Sequence, residues 1–225
     1  MKTVGWKFNN RFYDSKSELD KTIIVSCLFS IMLVLFRIAY TGRYLFISMI
    51  WNLFLAFIPY ALSNWISNKI NRKSKLAFII ATLIWLLFIP NSFYIITDLF
   101  HLNKNGPSPI WYDLALLFSF AWNGLLFGII SVRQMERMFE QFFNKRFDLL
   151  FVYPVMALNA FGIYLGRYLR FNSWDVVSNP VLLLRDVYYL IVHPLRYRVD
   201  WGMIICYSLL MTLIYVSLKK LGRTL

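Results

Sequence analysis

Six long stretches of this 225-residue chain carry almost no charged residues, and no other feature of the sequence constrains its fold as strongly. They cover residues 22–36, 44–68, 76–97, 114–132, 149–166 and 201–218. A helix needs about 20 mostly apolar residues to cross a hydrocarbon core of about 30 Å. With 59% hydrophobic and 16% charged residues, the chain is also too apolar for a soluble domain. The sequence therefore predicts an all-α fold, a polytopic transmembrane helix bundle of six spans, as a single integral membrane domain over residues 1–225.

Charged residues shorten two of the apolar stretches. Arg37 ends the first, close enough to the end of the span for its side chain to snorkel to the lipid headgroups. Arg185 and Asp186 interrupt a seventh stretch, residues 180–193, which at about 1.5 Å per residue reaches about two thirds of the way across the hydrocarbon. We expect this segment to form a short interfacial helix on the extracytoplasmic side, with Pro180 at its first position.

Lys and Arg are distributed unevenly between the two sides of the predicted bundle. If the amino terminus is cytoplasmic, the cytoplasmic segments hold 16 of the 24 Lys and Arg, and the extracytoplasmic segments hold the other 8. Five of those eight belong to the long connection between the fifth and sixth spans. Because basic loops stay in the cytoplasm, we expect both termini inside, as a basic segment 1–21 and a tail 219–225 on either side of the bundle 22–218.

The formal net charge of +13 does not point to nucleic acid. Most of this charge lies in the predicted cytoplasmic loops, where attraction to the anionic lipids of the inner leaflet accounts for it. The sequence contains no P-loop, Rossmann glycine fingerprint, CxxC or GxSxG motif. We therefore expect no cofactor. The expected partners are membrane lipids, an anionic lipid head group among them, and a partner membrane protein.

Polar residues inside the predicted spans collect toward their extracytoplasmic ends, where each must find a partner away from water. One stripe of the third span has the spacing i, i+3, i+7, i+10 and consists of Asn91, Tyr94, Asp98 and His101. At 100° per residue these positions fall within an arc of about 80°. Pro90 directly precedes the stripe and should kink the helix, leaving an acceptor that neighbours must satisfy.

The fifth span carries a second polar face. Its members are Asn159, Gly162, Gly166 and Arg170, with Arg167 beside them. Gly162 and Gly166 form a GxxxG motif, which allows another backbone to approach closely. Asn52 on the second span, and Asp113 and Asn123 on the fourth, add to this set. The inward halves of the spans carry almost no such groups, so the sequence predicts a polar chamber that opens on the extracytoplasmic side.

Three motifs of this sequence, in this order, are similar to those of a known family. They are RYLFISMIWNLFLAFIP at 43–59, WLLFIPNSFYIITDLFHL at 85–102 and LGRYLRFNSWD at 165–175. From the second span onward, the chain resembles an uncharacterised bacterial membrane family catalogued as domain of unknown function 1361. The resemblance implies a multi-pass protein of the bacterial inner membrane and implies no reaction. The polar positions of the motifs are Asn52, Asn91, Asp98, His101, Arg167, Arg170, Asn172 and Asp175.

Asp98 and His101 are the candidate catalytic residues, because histidine is the usual proton carrier near neutral pH. They could equally form a buried hydrogen-bonded pair that fixes a helix end. A metal site is a further alternative. His101 and His193, which the short helix could bring together, could hold a metal with Asp98 or Asp175. No HxxH or HExxH spacing supports that site, so no metal is expected.

The candidate residues for binding an anion or substrate are Arg167, Arg170, Asn91, Asn52, Asn172 and Asp175. Guanidinium groups suit phosphate or carboxylate, although the two arginines could instead only cap the outer end of the fifth span. Three function classes follow from these residues. We favour a protein that binds or processes an anionic lipid or envelope-precursor head group. A non-catalytic accessory or assembly subunit comes next, and then a small-solute transporter, which the apolar inward halves disfavour.

Overall fold

The computed structural model describes residues 4–69, 74–102, 107–143 and 148–224 of the chain, with side chains from residue 18 to residue 222 within these ranges. The helices of this part of the chain are α1 (Val4–Thr41), α2 (Ser48–Lys69), α3 (Lys75–Phe88), α4 (Pro90–Tyr94), a 3₁₀ segment (Ile95–His101), α5 (Ile110–Phe143), α6 (Asp148–Arg167), α7 (Asp175–Ser178), α8 (Pro180–Val192) and α9 (Arg198–Thr224). The described residues contain no β-strand, and the predicted all-α class is confirmed.

Six helical segments of the described residues are long and apolar enough to cross a membrane. They are Glu18–Thr41, Ser48–Lys69, Lys75–His101, Ile110–Phe143, Asp148–Arg167 and Arg198–Gly222. Each overlaps one predicted stretch, which confirms the transmembrane bundle of six spans. Their orientation stays a prediction. It rests in part on basic residues that lie outside the described side chains, namely Lys2, Lys7, Arg11, Lys16, Arg72, Lys73, Lys104, Lys145, Arg146 and Arg223.

The third span is interrupted at the position where the sequence predicts a kink. Helix α3 ends at Phe88 and α4 begins at Pro90, whose missing N–H leaves no broken bond at a first helical position. After Tyr94 the chain tightens into the 3₁₀ segment, in which side chains three residues apart lie above one another. Asp98 and His101 are therefore aligned on one side of this segment.

Helix α5 approaches α4 through a GxxxG motif that the sequence analysis missed. A Cβ atom on Gly124 would lie 2.6 Å from the backbone oxygen of Ser92, and one on Gly128 would lie 2.8 Å from the ring of Phe93. Real Cβ atoms do not come this close to other atoms. The two glycines thus set the distance between α4 and α5.

Helix α6 approaches α4 from another direction through the GxxxG motif that the sequence analysis identified. A Cβ atom on Gly162 would lie 2.6 Å from Cγ of Pro90, and one on Gly166 would lie 3.3 Å from the ring of Tyr94. The close approach expected of this motif is confirmed. Because α4 is held between glycines of α5 and α6, the 3₁₀ segment that follows it has a fixed position.

Arg37 does not snorkel to the headgroups, so that prediction is wrong. Its side chain is buried and donates to Asp113 through Nε at 2.7 Å and through Nη2 at 3.1 Å. The Phe46 ring lies 4.5 Å from its guanidinium carbon, and Ser108 donates to the same carboxylate at 2.7 Å. A buried carboxylate at the same depth gives this arginine a partner inside the bundle, which stabilises it there.

The end of the bundle opposite Asp98 is also more polar than predicted. Glu136 of α5 is fully buried and accepts hydrogen bonds from Arg133, from the Tyr215 hydroxyl at 2.7 Å and from Lys219 Nζ at 2.6 Å. Lys219 also contacts Asp148 at 2.8 Å. The expectation that this half of the spans is almost free of polar groups is wrong, because the fourth span continues past its apolar stretch and buries a carboxylate.

The predicted short helix is present as α8, and it ends one residue before His193. Pro180 takes the expected first position. Leu190 is the buried residue of this helix, and its carbonyl accepts a hydrogen bond from the Trp201 indole at 3.1 Å. His193 is exposed and stacks on Tyr189 with 6.2 Å between ring centroids. The interfacial location of α8 stays a prediction.

Candidate functional site

Four of the polar residues singled out in the sequence meet at one end of the bundle, around the Asp98 carboxylate. Asp98 is only 2% exposed. Asn52 of α2 donates to its Oδ2 at 3.0 Å, and Arg167 at the end of α6 donates from Nη1 to its Oδ1 at 3.2 Å. The carboxylate thus joins the second, third and fifth spans, with one partner on each oxygen.

Arg167 bridges Asp98 and His101. Its Nη2 lies 3.1 Å from His101 Nε2, whereas Asp98 Oδ1 is 4.0 Å from that nitrogen, too far for a hydrogen bond. A guanidinium has only donors, so this contact requires His101 Nε2 to accept. In such a hydrogen bond the ring carries its proton on the other nitrogen, Nδ1.

Two aromatic rings hold the Arg167 guanidinium from the sides. Its carbon lies 5.9 Å from the centroid of Tyr94 and 5.6 Å from that of Phe100, and Nη1 lies 3.5 Å from the Tyr94 hydroxyl. The Arg167 side chain is 15% exposed and that of His101 is 53% exposed. His101 therefore lies at the mouth of the site, with Arg167 behind it and Asp98 at the base.

A cavity of about 420 Å³ lies against these groups. Its lining residues are Leu45, Phe46, Ser48, Met49, Asn52, Tyr94, Asp98, His101 and Arg167. Its volume falls in the range of roughly 300–1,000 Å³ that is usual for ligand pockets. The lining combines apolar side chains with the charged groups of the cluster. Such a cavity can hold a small polar group in contact with Arg167.

A second cavity of about 390 Å³ shares Asn52 and Tyr94 with the first and runs between α2, α3 and α6. At its polar end, Asn91 Nδ2 donates to Ser173 Oγ at 3.0 Å, and Asn172 also lines the wall. The hydrogen bond ties the third span to the connection that follows α6. Asn91 and Asn172 thus lie beside the Asp98 cluster, in the neighbouring cavity.

Arg170 lies apart from the cluster. Helix α6 ends with the backbone N–H of Phe171 donating to the Leu165 carbonyl at 3.0 Å, which leaves Arg170 at φ 61° in the left-handed position that glycine usually takes. The side chain is exposed, and within the described part of the chain it has no hydrogen-bond or ion-pair partner. Arg167 and Arg170 are therefore not equivalent.

Asp175 serves the local structure of α7. Its carboxylate accepts the backbone N–H of Asn172 at 2.6 Å and the Ser178 hydroxyl at 2.8 Å, as in half of a capping box. These hydrogen bonds, the one from the Asn172 N–H first, lower the pKa of the Asp175 carboxyl. Asp175 is partly exposed to solvent and makes no contact with Asp98 among the contacts of the described residues.

The alternative metal ligands do not come together in the described residues. The one group there with ligand atoms close to one another consists of Glu136, Glu140 and Asp148, at the other end of the bundle. The Lys219 ammonium already contacts two of these carboxylates, at 2.6 and 2.8 Å. Neither His101 nor His193 belongs to a group of this kind.

Sequence reasoning missed the pairing of Arg37 with Asp113 near the same end of the bundle. The two residues border apolar stretches at the same predicted depth. Because buried charges in spans pair with each other, this shared depth could have predicted the ion pair. Arg37 Nη1 is buried and has no hydrogen-bond partner. Phe46 lies against this arginine and also lines the first cavity, so the two ion pairs share a wall.

Comparison with known proteins identifies a family for this chain. Residues 51–214 match the family described as protein of unknown function (DUF1361), and the chain belongs to that family. Neither the curated proteins nor the solved structures give a match. The matched range includes Asn52, Asp98, His101 and Arg167, so the cluster lies inside the family domain. The family assignment carries no reaction with it.

Proposed function

We propose that this DUF1361 protein binds the anionic head group of a membrane lipid or lipid-linked envelope precursor at Arg167 and processes it there. The arrangement of three side chains carries this proposal. Arg167 faces a cavity between a buried carboxylate, Asp98, and an exposed histidine, His101. A guanidinium makes charge-assisted hydrogen bonds to phosphate or carboxylate. The Lys and Arg distribution supports an extracytoplasmic cavity in a bacterial inner membrane, with both termini in the cytoplasm.

The two nitrogens of Arg167 have different roles in this proposal. Nη1 stays on Asp98, which fixes the side chain, while Nη2 moves from His101 Nε2 to an oxygen of the bound anion. The exchange frees the lone pair of Nε2 on His101, which can then accept a proton from a water that attacks the phosphorus of the head group. As the new O–P bond forms, the bond from phosphorus to the leaving oxygen breaks, and His101 Nε2 gives the proton to that oxygen. Asp98 is a positioning residue in this scheme, and Asn52 holds its second oxygen. Acid–base catalysis of this kind contributes about 10²–10⁴-fold.

A specific observation also favours the accessory-subunit candidate. Asp98 is 2% exposed and each of its oxygens has a partner on another span. An ion pair that only ties three spans together would have the same contacts, since a buried charge needs a partner whatever its function. The head-group function needs His101 and the Nη2 group of Arg167. The accessory-subunit function needs only the ion pair between Arg167 and Asp98.

Lipid analysis and complementation together separate these candidates. Mass spectrometry of lipids that co-purify with the wild type and with Arg167→Gln should show one phosphate-bearing lipid enriched in the wild type alone. A strain that lacks the gene is then complemented with variants. Although present at normal protein levels, Asp98→Asn, His101→Ala and Arg167→Lys should fail to restore the wild-type envelope. His193→Ala and Asp175→Asn are matched controls that should complement. If the three site variants also complement fully, the accessory-subunit function is correct.

A further inference from the structure

The second cavity is an apolar groove that begins at the Arg167 site. It holds about 390 Å³ and meets the first cavity at Asn52 and Tyr94. Its walls are formed mainly by large apolar side chains, including Trp51, Leu55, Leu83, Leu87, Leu158 and Phe161. Its polar lining groups include Asn91, Asn172 and Ser173. These three groups lie near the end that adjoins the Arg167 site, so the groove is polar at one end and apolar along the rest.

The groove opens sideways from the bundle. Trp51, Leu83 and Leu158 are 55%, 61% and 52% exposed, on the lateral surface of membrane-spanning helices. Gly162 and Pro90, which pack directly on each other, both line the groove. A lateral opening of this kind gives access from the hydrocarbon of the bilayer.

The length of the groove matches one leaflet. The helical rise from Leu83 to Tyr94 is about 16 Å at 1.5 Å per residue. Half of a hydrocarbon core of about 30 Å is about 15 Å. A chain lying in the groove would therefore run from the headgroup level to about the middle of the bilayer, in the direction that lipid chains already take.

We infer that the groove holds one hydrocarbon chain of the ligand whose anionic head lies at Arg167. The substrate class is then a membrane amphiphile with a phosphate-type head, and a second chain, where there is one, stays in the bilayer. This inference rests on the proposed function, because it takes the position of the head group from it. A water-soluble anion would use the first cavity and leave the groove unused.

Native mass spectrometry of the full chain in a short-chain neutral detergent tests the inference. The probes are oleoyl lysophosphatidic acid and monoolein, which share a chain and differ in head charge, and inorganic phosphate is tested separately by thermal shift. Leu87→Trp narrows the groove. Ile84→Trp adds the same side chain to an exposed position of the same helix outside the groove lining. Arg167→Gln removes the anion partner.

The wild type should bind lysophosphatidic acid about tenfold or more tighter than monoolein, and Leu87→Trp should remove about tenfold of that affinity by denying burial to several methylene groups. Ile84→Trp should bind as the wild type does. Arg167→Gln should bind the two amphiphiles equally. If Leu87→Trp does not insert or fold, Leu158→Trp on the facing wall replaces it.

Two results would overturn the proposals separately. If Leu87→Trp binds lysophosphatidic acid like the wild type while Arg167→Gln loses both this probe and phosphate, the groove inference is wrong and the anion site remains. If Arg167→Gln keeps full affinity for lysophosphatidic acid and phosphate, the proposed function itself is wrong, and the groove inference is withdrawn with it.

Discussion

Replacing Gly124 with alanine should destabilise the protein and displace the helix that carries the site. An alanine Cβ would lie 2.6 Å from the Ser92 backbone oxygen and 3.1 Å from the end of the Ile95 side chain. A backbone atom cannot rotate away, so α4 must move as a unit. Overpacking of this kind costs about 1–3 kcal/mol, and the better helix propensity of alanine offsets about 1 kcal/mol of that cost.

Gly202→Ala is the matched control for this prediction. Gly202 lies inside helix α9, and a Cβ atom placed there meets nothing within 4 Å. The propensity gain is common to both variants, so the difference between their stabilities isolates the steric cost of about 1–3 kcal/mol at Gly124. For a chain of this length we expect Tm to differ by about 3 °C per kcal/mol.

Thermal unfolding of purified protein in detergent, followed by size-exclusion chromatography, measures this difference. Gly124→Ala should melt several degrees below Gly202→Ala. It should also lose affinity for an anionic probe, because α4 leads directly into the segment that carries Asp98 and His101. Equal melting temperatures for the two variants would refute the idea that α4 is held between glycines of α5 and α6.

Three further predictions concern residues outside the site. Glu136→Gln should lower the free energy of unfolding by about 3 kcal/mol, because it leaves Lys219 without a buried carboxylate. The control Glu140→Gln should change this free energy by no more than about 0.5 kcal/mol. Chemical unfolding in detergent measures both. Arg170→Gly should raise Tm, because it relieves about 1 kcal/mol of left-handed strain, and unchanged anion binding would show that Arg170 only ends the helix. The pKa of Asp175 is lowered in the folded protein. Its carboxylate therefore stabilises the α7 cap fully above the ordinary aspartate pKa, and this stabilisation is lost as pH falls through the lowered pKa. In the wild type, the protection of the Asn172 amide against hydrogen exchange should fall as this stabilisation is lost. In Asp175→Ala, the protection of this amide should not change with acid.

The spans could be predicted because the length of an apolar run is a local property. The interruption at Pro90 follows from one residue for the same reason. The pairing of Arg37 with Asp113 depends on which spans are neighbours and how each is rotated, and neither follows from hydropathy. Glu136 was missed because α5 continues well beyond its apolar stretch, so a charge that reads as part of a loop is buried inside a helix.

A continuing α-helix would place Arg167 and Arg170 close together at the end of the fifth span, which is why the sequence predicts one role for both. Helix α6 ends at Arg167, and the left-handed backbone at Arg170 turns the chain away from the face that Gly162 and Gly166 occupy. The stripe from Asn91 to His101 kept its side chains together although its winding changes, because three-residue spacing is preserved in a 3₁₀ turn. Helical periodicity thus predicts the shared face of the polar side chains on the third span. It fails for Arg170, which lies beyond the end of α6.

The charges of this protein explain why Arg167 is the group to test first. The buried charged side chains of the described residues are Arg37, Asp98, Asp113 and Glu136, and each has an ion-pair partner. A transporter of charged solutes is expected to hold its substrate near the middle of the bilayer, whereas these pairs lie toward the two ends of the bundle. Arg37 and Asp113 are both buried, and Glu136 is surrounded by its own donors. Of the ion-pair partners in the described residues, Arg167 lines a cavity together with a histidine, His101, and a bound anion could replace the contact between them.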